Sequence, residues 1–226
     1  MGLNMSLLQK QDTRYELIIF DFDGTLADSS EGILDAHKYT IEKFGLAKLT
    51  NKELRNFIGG NLLEVYLNEF DLSTEVAKEA VSTYRKRYSK VGIKKAELYP
   101  DCTVMLKNLK ENGYKLAIAT LKADSFVKRM VENMGISEYF DCVCGMTNND
   151  NLTKAELIQM CIHNLKANPT KTVFVGDSLG DYKGAINAKV EFIGVTYGFG
   201  FKKEVENSFR TVQDISELLR VIETNY

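Results

Sequence analysis

Two aspartates two residues apart, Asp21 and Asp23, follow an apolar run and precede Gly24. Residues two apart in extended backbone point to the same side, so both carboxylates would share a face, and Gly24 permits a sharp exit from the strand. A second acidic pair, Asp177 and Asp181, closes another apolar run in Gly176-Asp177-Ser178-Leu179-Gly180-Asp181. With Asp181 in the opening turn of a helix, it would project towards the same edge as Asp177. Any one of these aspartates alone reads as a helix cap or a turn former. Four converging at one edge would repel one another unless a cation sat among them, and hard oxygen ligands of this kind suit Mg2+.

Two further groups could complement such a site. Thr120 ends an apolar run and could offer a hydroxyl and a backbone amide to an anion, although alone it reads equally as a β-branched strand terminus. Lys154 follows Thr153, which with Glu156 three residues on makes a capping-box pattern, so the lysine falls at the first helical position. A cation there opposes the helix dipole by about a few tenths of a kcal/mol, which a bound anion would offset.

The elements that would position these groups are legible as short apolar runs at 16–22, 115–120, 140–145, 171–176 and 190–196, which read as buried, mostly parallel strands. Helical patterns at 123–134, 154–166 and 180–189 separate the last four, implying βαβ units and an α/β fold with a doubly wound, mostly parallel, Rossmann-like sheet. In such sheets ligands bind beyond the carboxyl ends of the strands, where all the residues above fall. About 90 residues separate the first two runs, with helical patterns at 30–44, 51–57, 62–70 and 75–90. Thr50 and Glu53 form a capping box for the second of these, and Pro100 marks the return to the sheet. The expected division is a core of residues 1–27 and 98–226 with an inserted α-helical cap at 28–97. There is no internal repeat, and Gly198-Phe199-Gly200 reads as a turn of no evident function.

Composition narrows the partners. The 226 residues carry 29 Lys and Arg against 31 Asp and Glu, a net charge of −2, so no global field draws the chain to a nucleic acid polymer or an anionic membrane surface. Apolar stretches such as 17–20 fall far short of the roughly 20 residues that span a bilayer. Gln9, Lys10, Gln11 and Asp12 stand where a secretory signal needs its apolar centre, so a cytoplasmic location is expected. Met1-Gly2 with Ser6 matches a myristoylation pattern, but no polybasic segment follows and no anchor is expected. Cys102, Cys142, Cys144 and Cys161 lack zinc-finger spacing and read as free thiols. Cys142 and Cys144 share a strand face, with no further Cys or His expected to complete a metal site.

Taken together, Asp21-Phe22-Asp23-Gly24-Thr25-Leu26, Thr120, Lys154, and Gly176-Asp177-Ser178 with Asp181 resemble, in order and element, the four motifs of the haloacid dehalogenase superfamily. The resemblance covers nearly the whole chain and points to the phosphatase branch with a helical cap, phosphoglycolate phosphatase-like members in particular. It implies Mg2+-dependent hydrolysis of a small phosphate monoester, of the phosphoglycolate or nucleoside 5′-monophosphate type, through an aspartyl phosphate. Asp21 would be the nucleophile, and Asp23 would protonate the leaving oxygen and then activate water. Mg2+ would be held by Asp21, the Asp23 backbone carbonyl and Asp177, with Asp181 supporting. Thr120 and Lys154 would bind the phosphoryl oxygens, and the substrate-binding set would add Gly24, Leu121, Lys122 and, from a cap loop at Gly59-Gly60, Gly59. Lys122 is similar to a lysine of some relatives but reads equally as an exposed loop residue. The lysine motif, Leu152-Thr153-Lys154-Ala155, lacks the proline that often follows.

Other chemistries compete. Gly176-Asp177-Ser178-Leu179-Gly180 also satisfies G-x-S-x-G, the nucleophile elbow of α/β-hydrolases, but that fold takes its histidine from after the serine, and both His37 and His163 precede it. A phosphate-accepting signalling module of the receiver type uses similar residues, yet its acceptor ends a middle strand and it has no use for a large helical insert. Asp23 argues against dehalogenases, which lack that acid, and against metal-pumping ATPases, which carry threonine there. A phosphomutase of the β-phosphoglucomutase type keeps both acids and stands as the alternative. No P-loop is present. The basic run Arg85-Lys86-Arg87 reads as a solvated helix face.

Overall fold

A computed structural model describes residues 15–147, 151–201 and 209–224. The readings of Met1-Gly2 and of residues 9–12 lie outside the described residues. In chain order the elements are β1 (Leu17–Phe20), β2 (Ala27–Asp28), α1 (Ser30–Lys43), α2 (Asn51–Arg55), α3 (Leu62–Asn68), α4 (Thr74–Lys90) and β3 (Glu97–Leu98). There follow α5 (Cys102–Glu111), β4 (Lys115–Ala123), α6 (Asp124–Asn133), β5 (Cys142–Met146), α7 (Lys154–Leu165), β6 (Thr172–Gly176), α8 (Leu179–Ala188), β7 (Glu191–Val195), β8 (Arg210–Val212) and α9 (Leu218–Glu223).

The central sheet runs β5-β4-β1-β6-β7-β8, and every pairing in it is parallel. Its middle strand explains why the apolar runs are continuous rather than alternating. Ile18 and Phe20 pack with Leu106, Leu109 and Met130 of α5 and α6 on one face, while Leu17 and Ile19 pack with Leu157, Ile158 and Ala185 of α7 and α8 on the other. Both faces of β1 are thus covered, as the interior of a parallel sheet requires. The fold is the doubly wound α/β arrangement that the strand and helix patterns imply.

The core elements that went unread in the sequence include α5, β8 and α9. Helix α5 carries its signal in the buried spacing Cys102, Met105, Leu106 and Leu109. Strand β8, three residues long, is too short to show a pattern. One expectation is overturned. Cys161, on α7, brings its sulfur within 4.8 Å of those of Cys142 and Cys144, so the strand pair does acquire a third thiol, from a helix whose approach no linear spacing reveals.

Helices α1 to α4 lie between β2 and β3, which pair antiparallel with Ala27 opposite Leu98 and Asp28 opposite Glu97. The two chain crossings between sheet and helices therefore run side by side. Thr50 and Glu53 make the capping box that opens α2. Helix α4 is clamped to α1 by Arg87, which grips Asp35 through Nε at 2.7 Å and a second nitrogen at 3.2 Å. Among the described residues no helix is long and apolar enough to cross a membrane.

His37 of α1 is buried among the rings of Phe57, Tyr66 and Tyr84, with Nδ1 3.2 Å from the Tyr66 hydroxyl. Burial pushes its pKa down from 6.5 to about 3, so it stays neutral in the folded chain. Below pH 6.5 the unfolded chain takes up a proton that the folded chain refuses, and stability falls by about 1.4 kcal/mol per pH unit until the folded value is reached. Urea unfolding from about pH 7 to about pH 5 should therefore cost the wild type about 2 kcal/mol more than His37→Gln. Equal losses would contradict a buried neutral histidine.

Candidate active site

From β1 the chain moves outward to β4 and β5, then crosses back to β6 on the other side of β1. The carboxyl ends of β1 and β6 therefore flank the topological switch point, where an open α/β sheet binds ligands. Asp21 leaves β1 there and Asp177 leaves β6. Asp181 is the third residue of α8, and Ser178 caps that helix in a reciprocal box with it. Carboxylate oxygens of Asp21, Asp177 and Asp181 all lie within 4.8 Å of one another, and all three residues are buried. Lys154, first residue of α7 behind the Thr153/Glu156 capping box, sends Nζ to Asp21 Oδ1 at 2.6 Å and to Asp181 Oδ1 at 2.8 Å.

Close backbone approaches make this cluster possible. Gly24, at φ +85°, lies where a Cβ would collide with the Asp177 carboxylate. On α8, a Cβ at Gly184 would strike the Lys154 stem, so this glycine lets α7 bring its lysine into the acids.

Three carboxylates against one ammonium leave two negative charges uncompensated. Burial, with repulsion from Asp181 and Asp23, raises Asp21 to about 7 despite Lys154. Burial and the charges of Asp181 and Asp21 push Asp177 well above the ordinary carboxylate range, although it accepts from the amides of Phe199 at 2.6 Å and Gly200 at 3.2 Å. Burial opposes the charge on Lys154, but Asp181 and Asp21 outweigh it and hold the ammonium above its usual value. An all-oxygen donor set carrying two excess charges fits a hard divalent cation such as Mg2+.

Asp23 is held apart from this trio. Its Oδ1 accepts from the Ser29 hydroxyl and sits 3.0 Å from Lys122 Nζ, which also donates to the Tyr88 hydroxyl at 2.8 Å. Of the four acids expected at one cation, then, three carboxylates converge and the fourth faces a second lysine. Lys122 is not an exposed loop residue: its side chain is 5% exposed, and Asp23 and Tyr88 keep its ammonium above its usual value against the cost of burial.

The other expected residues divide between contact and support. Thr120, Leu121 and Lys122 lie where β4 loses register against β5, an irregularity that turns them out of the ladder. The Thr120 hydroxyl accepts from the Lys122 amide at 3.2 Å, which leaves its own hydrogen to donate. Asp23, Leu121 and Lys122 line a cavity together with Gly59 and Gly60 from the helical segment. Arg85 lines it too, so one member of the basic run faces this cavity while Lys86 is exposed and Arg87 is paired with Asp35. The Gly24 amide is already bonded to Ala27 O at 2.9 Å. Ser178 Oγ donates to Asp181 at 2.7 Å and has the role of a cap, while His37 is packed in the helical segment and His163 is exposed.

Several contributors were not singled out in the sequence. Phe199 and Gly200 supply amides to Asp177, and the available signal was a Gly-Phe-Gly turn at the carboxyl end of a core strand. Ser29 and Tyr88, which orient Asp23 and Lys122, sit on or beside helices with no motif to mark them.

Comparison with known proteins agrees with this geometry. A family model described as haloacid dehalogenase-like hydrolase matches residues 18–195. A phosphoglycolate phosphatase of Psychrobacter arcticus is 32% identical over 220 residues, covering 90% of this chain and 94% of the relative. A 5′-nucleotidase of Pseudomonas aeruginosa is 29% identical, covering 94% of this chain and 97% of the relative. Among solved structures, a predicted phosphatase from Clostridium acetobutylicum superposes with a TM-score of 0.87 at 31% identity, covering 92% of this chain and 98% of its own.

Lys154→Met keeps most of the side-chain volume but leaves the acids without their ammonium. Removing one partner of a buried charge cluster should cost about 3–5 kcal/mol in chemical unfolding without added divalent cation. A loss below about 1 kcal/mol would show that the lysine does not hold the acids together.

Proposed function

The chain belongs to the haloacid dehalogenase-like hydrolase family, and from that premise we propose that it is a Mg2+-dependent phosphatase acting on a small phosphate monoester through an aspartyl phosphate on Asp21. The observation that carries this reading is the separation of two neighbouring acids into two environments. Asp21 is gripped by Lys154 beside Asp177 and Asp181, whereas Asp23 faces Lys122 and the cavity. A nucleophile and a proton-transfer group must hold different protonation states during one reaction, and separate partners permit that.

Lys154 holds one oxygen of Asp21 and leaves the other to attack phosphorus. The ester oxygen departs with a proton from Asp23. In the second step Asp23 takes a proton from water, whose oxygen attacks the phosphoryl group, releasing inorganic phosphate and regenerating Asp21. The Thr120 hydroxyl and the Lys154 ammonium bind phosphoryl oxygens throughout. Mg2+, held by Asp21, the Asp23 backbone carbonyl and Asp177 with Asp181 in support, would neutralise charge on the transferring group.

Residues 28–97 form the cap in this reading, hinging at the two crossings, with Gly59 meeting the leaving group and residues 1–27 and 98–226 holding the phosphate. The phosphatase names of the similar proteins support a substrate of the phosphoglycolate or nucleoside 5′-monophosphate type.

Release of inorganic phosphate from p-nitrophenyl phosphate, followed by a panel including phosphoglycolate and nucleoside 5′-monophosphates, tests the reading. Activity should require Mg2+ and vanish with excess chelator. Asp21→Asn should reduce it to background, while Ser178→Ala, which removes only a helix cap worth about 1 kcal/mol, should keep it within about fivefold. Activity that survives in Asp21→Asn and is lost in Ser178→Ala would overturn the assignment in favour of a serine nucleophile.

A further inference from the structure

Cys142 and Cys144 project from one side of β5, the edge strand of the sheet, towards Cys161 in the third turn of α7. Their sulfurs lie within 4.8 Å of one another, with Cys142 Sγ and Cys144 Sγ 3.6 Å apart. An ion with metal–sulfur bonds of about 2.3 Å sets its sulfurs about 3.8 Å apart in tetrahedral and about 4.0 Å apart in trigonal coordination. The Cys142–Cys144 edge is close to those spacings, and the edges to Cys161 lie within 4.8 Å.

We propose that Cys142, Cys144 and Cys161 form a three-thiolate site for a soft divalent cation of the zinc or cadmium type. This goes beyond the phosphatase reading and uses different chemistry: sulfur ligands select soft ions, whereas the Asp21 cluster offers only oxygen. Seven residues of α7, about 10 Å of helix, separate Cys161 from Lys154. Cys144 and Cys161 are buried and Cys142 is partly exposed, so the ion enters at Cys142 and its fourth position opens there. The amide of Asn164 lies 3.7 Å from Cys142 Sγ and 3.9 Å from Cys144 Sγ, a donor poised for thiolates. Binding one divalent ion releases three thiol protons and leaves one net negative charge.

Titration of the fully reduced chain with Cd2+ under anaerobic conditions, read by sulfur-to-cadmium charge-transfer absorption, should saturate at one ion per chain, and Zn2+ should displace it. Cys142→Ser and Cys161→Ala should each weaken binding by at least about a hundredfold with the far-ultraviolet circular dichroism unchanged. Cys142→Ser, at the exposed corner, carries the test by itself where the buried Cys161→Ala does not fold. Cys102→Ala, on a separate element, and Asp177→Asn, in the oxygen cluster, should leave binding intact. Absence of the charge-transfer band, or a band unchanged in Cys142→Ser, would overturn the proposal.

Discussion

Three buried carboxylates and one ammonium cannot share a sheet edge without further compensation, and much of this fold is arranged around that constraint. Asp21 and Asp177 meet because β1 and β6 are neighbours whose onward connections diverge. Asp181 and Lys154 join them because α8 and α7 begin at the same edge, each opened by a capping box that fixes where its first turn starts. The Phe199 and Gly200 amides close the cluster from the loop after β7. Each contact satisfies part of the charge, and what remains uncompensated is the size of one divalent ion's charge.

The same sheet edge splits two acids that lie two residues apart. Asp21 is gripped from the α7 side of the sheet, whereas Asp23 is met by Lys122 from β4 and Ser29 from the start of the helical segment. Tyr88 of α4 donates nothing to Asp23 but accepts from Lys122 and lies against its ammonium, 4.4 Å from ring centroid to nitrogen. The helical segment is thus wired to Asp23 through a lysine of the sheet. In an enzyme whose segment hinges, that link would make the state of Asp23 sensitive to whether the segment is closed.

The sequence revealed most where function sits on local chemistry. Asp21 and Asp177 were legible because short apolar runs end on them, Asp181 because it falls in the opening turn of the next helix, and Lys154 because Thr153 and Glu156 mark a helix start. What stayed hidden depends on chain segments far apart in sequence. Lys122, which the resemblance put in the substrate-binding set, reads equally as a loop residue until the lost register of β4 turns it onto Asp23. Cys161 looks unrelated to Cys142 and Cys144 until α7 packs across β5. Gly198-Phe199-Gly200 looks like an idle turn, because its amides find their acceptor only once Asp177 lies beside it. In each case the residue type was visible and its partner was not.

The central claim is that the acid gripped by Lys154, rather than the neighbouring serine or Asp23, forms the bond to phosphorus. Acid quenching during turnover of a small phosphate ester, followed by peptide mass spectrometry, tests it directly. The account predicts one added phosphoryl group on the peptide carrying Asp21, borne by that residue and lost on treatment with hydroxylamine, as an acyl phosphate should be. A phosphoryl group on Ser178 or Asp23, or turnover with no covalent adduct at Asp21, would contradict it.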